Sequence, residues 1–295
     1  MFYCKVKLKK NRFAIRIFSV IFILLLIVIG TSCLRRYNLT DEDLEVFYKV
    51  KNYKPRFSSY KISGRTIHYA TVGNDSMPLI LFIHGAPGAW FGYMPLLDDS
   101  LLQQNFKMIS VDRPGYGKSD FGNSEPHIDI QASLLQPIID SVPENIPILI
   151  VGRSFGAPIA AQLAARNACR IYGLILLGPA IDPDKEKFTG LASLARAPVI
   201  RWIIPTTVLV AAEEKKIHAA ELKKMLPVWQ KIIVPTTVFH GENDIIVDTA
   251  NLSFARKMLK NTRSKIYLVP ETGHLVSNER PDLVKREIFS YLGKN

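Results

Sequence analysis

Cysteine is almost missing from this chain. Of 295 residues only three are cysteine: Cys4 and Cys33 near the N-terminus, and Cys169 in the remainder. No disulfide framework can form within the folded part, and no cysteine pair or His/Cys cluster has the spacing of a metal site, so no metal or organic cofactor is expected. Cys169, at the end of a predicted helix, reads as a small packing residue. Acidic residues are absent from residues 1–36, which hold eight basic ones, Lys5, Lys7, Lys9, Lys10, Arg12, Arg16, Arg35 and Arg36. Taking these eight from the 38 basic residues leaves 30 against 26 acidic ones, so the formal charge of +12 is not a basic patch on the folded domain. Nucleic acid is therefore not expected as a partner. Nothing repeats at a fixed period, which excludes solenoids and propellers.

Long apolar runs are also scarce. One exists, Ile17 to Leu34, with no ionisable side chain except the Cys33 thiol. A basic stretch followed by such a run makes residues 1–36 a signal peptide or N-terminal membrane anchor. The run is at the short limit for a spanning helix, which needs about 20 apolar residues. It ends at Gly30-Thr31-Ser32-Cys33, which resembles a bacterial lipoprotein cleavage site, although a large aliphatic residue is usual where Gly30 stands. Three readings stay open: a lipid anchor at Cys33, an uncleaved signal anchor with its basic end in the cytoplasm, and soluble export. All three place the folded domain outside the cytoplasm, and the first two associate it with a membrane.

What is abundant is β-apolar sequence broken by helical segments. Residues 37–59 read as a polar spacer with a short helix. Lys61 to Gly73 reads as two strands turning at Gly64. Largely apolar strands follow at Leu79–His84, Phe106–Val111, Ile148–Val151, Ile171–Leu177, Thr236–His240 and Lys265–Val269. Helices are predicted at Met94–Gln104, Ile128–Val142, Ser154–Asn167, Thr249–Lys260 and Asp282–Leu292. Pro137 should kink the second of these or end it early. Largely apolar strands alternating with helices predict a mostly parallel sheet covered on both faces. The core spans 60–180 and 234–295, and an insertion at 181–233 interrupts it. Ligands bind at the carboxyl ends of the strands in such sheets, so the insertion is expected to act as a lid.

The segment Ile148 to Ala165 reads strand, tight turn, helix. Its Gly152-Arg153-Ser154-Phe155-Gly156 turn lifts the Ser154 hydroxyl over the end of the sheet at the positive end of a helix. His84-Gly85-Ala86-Pro87-Gly88 follows one strand, His240-Gly-Glu-Asn-Asp244 another, and Glu271-Thr-Gly-His274 the last. A serine needs a base, and that base an acceptor to fix its tautomer.

On these four motifs the chain resembles the α/β-hydrolase superfamily over Tyr60 to Leu292. The resemblance implies an α/β-hydrolase fold and a triad of Ser154, His274 and Asp244, with Asp182 as the alternative acid. It also implies an oxyanion hole formed by the backbone N–H groups of Ala86 and Phe155. His84 then braces its loop, and Asp248 caps the helix after it. His127 and His218 fall in surface-like contexts. Asp112-Arg113-Pro-Gly-Tyr-Gly-Lys-Ser119 is a further family signature, expected to pin its own loop by internal hydrogen bonds and to carry no chemistry. Arg153 departs from the family pattern. Its guanidinium must reach a carboxylate or solvent, or contact substrate, a role also open to Trp90. The implied reaction is ester hydrolysis of a small molecule by a serine hydrolase. A proline-iminopeptidase-like activity on short peptides is the alternative, with Glu213 and Glu214 as acidic lid residues against the simpler reading of a solvated helix face. A non-catalytic binding protein of this fold is the third reading.

Overall fold

The structure, a computed structural model, describes residues 41–49, 51, 54–186 and 204–292. The N-terminal apolar segment with Cys33, and residues 187–203 of the insertion with Trp202, lie outside them. Two compact units divide at Lys49 and Val50. In the first, Asp41–Tyr48 forms helix α1. Among the described residues no helix is long and apolar enough to cross a membrane.

The second unit is built on one eight-stranded sheet. Its strands are β1 (Arg56–Ile62), β2 (Arg65–Val72), β3 (Leu79–Ile83), β4 (Lys107–Val111), β5 (Ile148–Arg153), β6 (Ile171–Leu177), β7 (Thr236–Gly241) and β8 (Ser264–Val269). Their spatial order is β1-β2-β4-β3-β5-β6-β7-β8. β2 runs antiparallel to both its neighbours, and every pair from β4 onward is parallel. The sheet centre is apolar on both faces. Every residue of β3 is buried, and Leu81 lies in register between Ile109 and Ile150. Two buried faces require two helical layers.

The helices of this unit are α2 (Met94–Leu97), α3 (Ser100–Asn105), α4 (Ile128–Asp140), α5 (Gly156–Arg166), α6 (Thr206–Lys224), α7 (Asn251–Met258), α8 (Val276–Glu279) and α9 (Pro281–Leu292). Several expectations need correcting. β1 begins at Arg56, inside the supposed spacer. The single helix expected over Met94–Gln104 is two, because the Asp99 carboxylate accepts the N–H groups of Leu101 and Leu102, both at 3.0 Å, and starts a new helix. α4 runs through Pro137 to Asp140. Proline there removes one bond, to the carbonyl of Ser133 on the exposed side, and the Pro137 carbonyl still accepts from Ser141. Cys169 is exposed and packs into no core. The chain between β6 and β7 carries α6, which lies over the carboxyl ends of the strands.

Candidate active site

Four strand ends meet at one cavity of about 640 Å³, lined by Ala86, Ser154, Phe155 and Asp244 among others. Ser154 stands between β5 and α5 with φ +52°, a left-handed conformation that costs a non-glycine residue about 1–3 kcal/mol. Surrounding contacts hold it there. Its N–H donates to the carbonyl of Leu177 at 2.9 Å, tying the elbow to the end of β6. A side chain at Gly156 would collide with the carbonyl oxygens of Ile83 and His84, so α5 can start hard against β3 only with glycine. Gly85 is constrained from the other side. A Cβ there would lie 2.9 Å from Ser154 Cβ, which measures how tightly the 84–88 loop is pressed onto the serine.

That loop and the elbow each present a free donor. Among the described residues, neither the N–H of Ala86 nor that of Phe155 meets an acceptor. Phe155 precedes the first turn of α5, where the helix dipole favours negative charge. His84 braces the loop as expected. It is wholly buried, its Nε2 accepts from the Arg113 N–H at 2.9 Å, and its Nδ1 donates to the Gly85 carbonyl at 2.6 Å. Burial, reinforced by the nearby Arg113 guanidinium, pushes its pKa well below the ordinary histidine value, so it stays neutral.

His274 follows β8 and donates through Nδ1 to Oδ2 of Asp244 at 2.7 Å. Asp244 follows β7, and its side chain is fully buried. Burial alone would raise the Asp244 pKa. Hydrogen bonds from His240, His274 and the Val247 N–H outweigh it and hold the carboxyl below the ordinary carboxylate range. His274 packs against Gly178, where a Cβ would lie 3.2 Å from its Nδ1, and Gly178 follows the Leu177 that anchors Ser154; among the described residues no hydrogen bond joins the Ser154 hydroxyl to the imidazole, and His274 itself does not line the cavity. Asp182 is occupied elsewhere, its Oδ1 accepting the Asp184 N–H at 3.0 Å. Asp248 accepts the Ala250 N–H at 2.9 Å, a bond that closes the turn before α7 and does not cap it as expected: the N-cap is Ala250, with no side-chain bond.

The two residues expected to contact substrate do not line the cavity among the described residues. Trp90 is buried, with its N–H on the Asp112 carboxylate at 2.8 Å and its ring against Phe57. Arg153 is 7% exposed, so solvent does not satisfy it. Its guanidinium donates to the Gly92 carbonyl at 3.0 Å, to Ser277 Oγ at 3.1 Å and to Asn278 Oδ1 at 2.8 Å, and lies over the Tyr93 ring. It thereby stitches the elbow to α8, which begins two residues after His274.

A match to the model of the alpha/beta hydrolase family covers residues 80–287 and takes in all these motifs. The chain belongs to that family. It is 23% identical over 287 residues to the proline iminopeptidase PfmaB of Pestalotiopsis fici, a match covering 79% of this chain and 98% of that protein. It is 29% identical over 282 residues to mouse epoxide hydrolase 4, covering 79% of this chain and 77% of the relative. Among solved structures, a bacterial membrane phospholipase A superposes with a TM-score of 0.66 at 20% identity, covering 93% of this hydrolase and all but 2% of that chain, whose coverage is 98%. An enol-lactonase from Burkholderia xenovorans superposes at 0.61 with 19% identity, covering 80% and 100%. These structural likenesses establish the fold.

Three residues of this hydrolase were misplaced or passed over by sequence reasoning. Glu214 lies on no solvated face: it is fully buried on α6, while its neighbour Glu213 is exposed. Arg113 does not bond within its own loop to Asp112, whose carboxylate instead takes His68 Nδ1 and the N–H groups of Trp90 and Lys118. It pairs with Glu214, Nη1 to Oε1 at 2.6 Å. His218, also on α6, is fully buried, stacks on the Phe155 ring with centroids 4.1 Å apart, and bonds through Nε2 to the Ala180 carbonyl at 3.2 Å. Burial, with Lys215 and Arg113 adding repulsion, pushes its pKa down to about 3. Helical spacing alone could have hinted at these: Glu214, His218 and Glu221 recur every three or four residues along one buried side of α6.

Proposed function

We propose that this member of the family is a serine hydrolase that transfers an acyl group from an ester to water. The observation carrying this reading is the 2.7 Å bond from His274 Nδ1 to Asp244 at a cavity whose wall holds a strained Ser154 beside two unpartnered N–H groups. His274 Nε2 takes the Ser154 proton as Oγ attacks the ester carbonyl, and Asp244 stabilises the imidazolium. The N–H groups of Ala86 and Phe155 receive the oxyanion. The imidazolium then protonates the departing alcohol, and the neutral ring activates a water that releases the acid. A serine at this position argues against the epoxide opening named for some relatives, which proceeds through an ester to an aspartate. The insertion serves as a lid over the cavity.

An ester is favoured over an aminoacyl substrate by the state of Glu214. Holding a substrate ammonium needs a free lid carboxylate at the cavity: Glu214 already accepts from Arg113, Tyr116 and Gln131, and Glu213 is exposed beside Lys216 and does not line the cavity. Graded p-nitrophenyl esters assayed beside proline and alanine aminoacyl amides decide between the two, with ester turnover expected. Labelling by a fluorophosphonate decides between hydrolase and binding protein: the intact protein should label at Ser154, and resistance to the probe sinks the reading. Ser154→Ala should lower turnover by about a million-fold.

For the N-terminal segment we infer membrane attachment outside the cytoplasm, through a lipid on Cys33 or through an uncleaved anchor. The basic and apolar stretches of residues 1–36 support it. Incorporation of labelled palmitate that is lost in Cys33→Ala assigns the lipid; incorporation that survives the substitution rules it out.

A further inference from the structure

The strongest unassigned feature is a buried polar cluster around Arg113, joining the 84–88 loop, α4 and α6. Its guanidinium is fully buried. Nη1 donates to Glu214 Oε1 at 2.6 Å and to Gln131 Oε1 at 2.8 Å. Nη2 donates to Glu214 Oε2 at 3.1 Å and to the carbonyl of Gly85 at 3.1 Å. Tyr116 adds a 2.6 Å bond to Glu214 Oε2. Burial alone would weaken the charged form of Arg113, but Glu214 and Tyr116 outweigh it and raise its pKa, so the guanidinium keeps its proton.

The Gly85 carbonyl is half of the peptide group whose other half is the Ala86 N–H. A trans peptide is planar, with its C=O and N–H pointing in opposite directions. Holding the oxygen therefore aims the N–H. Two donors hold it: the Arg113 guanidinium and, at 2.6 Å, His84 Nδ1. A charged donor on the carbonyl also polarises the group and strengthens its N–H as a donor. The second N–H belongs to Phe155, and the same guanidinium lies 4.9 Å from the centre of that residue's ring. One side chain thus contacts the peptide group of one N–H and the ring of the residue that carries the other, while its counter-charge comes from α6 in the insertion.

We propose that Arg113 is a positioning residue that makes the oxyanion hole depend on the seating of the insertion helix. Glu214 is the seat. With α6 docked, the guanidinium is neutralised and free to align the Gly85–Ala86 peptide. With α6 displaced, a buried cation without a partner is strongly unfavourable. Arg113 must then turn toward solvent, and it releases the Gly85 carbonyl. This rests on the serine-hydrolase reading and goes beyond it: the catalytic groups become competent when the cavity is covered.

The test uses the full chain. Replacing a buried ion pair by apolar residues of similar volume often leaves stability unchanged, so Arg113→Met with Glu214→Leu removes the coupling and can keep the fold. Turnover of p-nitrophenyl acetate, affinity for a phenylboronic acid, and the thermal midpoint are measured on the parent and on the double variant. Glu213→Gln, an exposed neighbour on the same helix, is the control. The expected result is a thermal midpoint close to the parent and kcat lowered about 10- to 100-fold, a fraction of the loss seen when an oxyanion donor is deleted outright. KM should change less than about threefold, and boronate affinity should fall in parallel with kcat/KM, because the boronate binds as a tetrahedral anion. A folded double variant with parental kcat and parental boronate affinity overturns the proposal. If the double variant does not fold, the isosteric Glu214→Gln decides on the same two readouts. A parent that neither turns over the ester nor labels with a fluorophosphonate would overturn the serine-hydrolase reading instead, a failure seen before any variant is made.

Discussion

His240 and His274 converge on a single atom: both lie against Oδ2 of Asp244, at 3.2 Å and 2.7 Å. The other oxygen, Oδ1, accepts the N–H groups of Ile246 and Val247, each at 2.9 Å. His240 Nε2 also bonds the Val247 carbonyl at 3.0 Å, so His274 and the two backbone N–H groups are the donors that fix the carboxylate on both sides.

An asparagine cannot reproduce this arrangement. In Asp244→Asn the amide oxygen must face the two backbone N–H groups, which turns the NH₂ toward the imidazoles. His274 is then driven to the tautomer with a bare Nδ1 and a protonated Nε2, which cannot accept a proton from Ser154. Esterase kcat should fall about 10⁴-fold. Stability responds to pH with a definite sign. The folded-state pKa of Asp244 is depressed, so its contribution is present above the unfolded value of about 4 and is lost as pH falls toward the folded one. The gap in thermal midpoint between parent and variant should narrow below pH ~4, and a gap that widens there contradicts the assignment.

Arg153 offers a second test. Its partners are Gly92, Ser277 and Asn278, so Arg153→Met should destabilise the fold by about 2–4 kcal/mol in chemical denaturation. Discrimination between anionic and neutral esters should stay as in the parent, because the guanidinium does not reach the cavity. A selective rise in KM for anionic esters would return Arg153 to a role in substrate contact.

Acid stability should report on His218. Its folded pKa of about 3 lies below the unfolded value of 6.5, so the unfolded chain binds the proton first as pH falls. Stability is lost through that window. His218→Gln, which can keep the bond to the Ala180 carbonyl, should show a thermal midpoint that declines less steeply than the parent's between pH 6.5 and pH 4. Parallel curves would mean that this ring titrates equally in both states.

Crowding at the elbow gives the last test. In Gly85→Ala a methyl group is forced to 2.9 Å from Ser154 Cβ, and either the loop or the serine must shift. Displacing a reacting atom by about 1 Å can cost on the order of 100-fold, so kcat should fall well beyond the loss in thermal stability. An alanine variant with parental kcat would show that the loop has slack.

The parts of this site that could be read from the sequence are those encoded locally. The elbow announces itself within ten residues, because strand, glycine, serine, glycine and helix follow each other directly. The loops carrying Asp244 and His274 are recognisable by their position after apolar strands. Asp99 followed by Ser100 also carries a readable signal, a helix start inside Met94–Gln104. For Glu214 and His218 the only cue was their recurrence with Glu221 at helical spacing, which does not by itself tell a buried side from a solvated one. On a lysine-rich helix with no clear apolar stripe, a glutamate looks solvated until the partner that buries it is known. Arg153 was unreadable for the same reason, since Ser277 and Asn278 lie far along the chain. Buried charges are specified by pairs, and a single sequence shows one member at a time.

Arg113 and Glu214 are 101 residues apart along the chain. A ribosome adds about 5–20 residues per second, so the arginine precedes its counter-charge by roughly 5–20 s. During that interval β5 and β6 are added to the β3 and β4 already synthesised. Until Glu214 arrives the guanidinium has only the neutral acceptors Gln131 and Gly85 beside it, so neutralising the charge at the centre of the domain waits on a long-range contact.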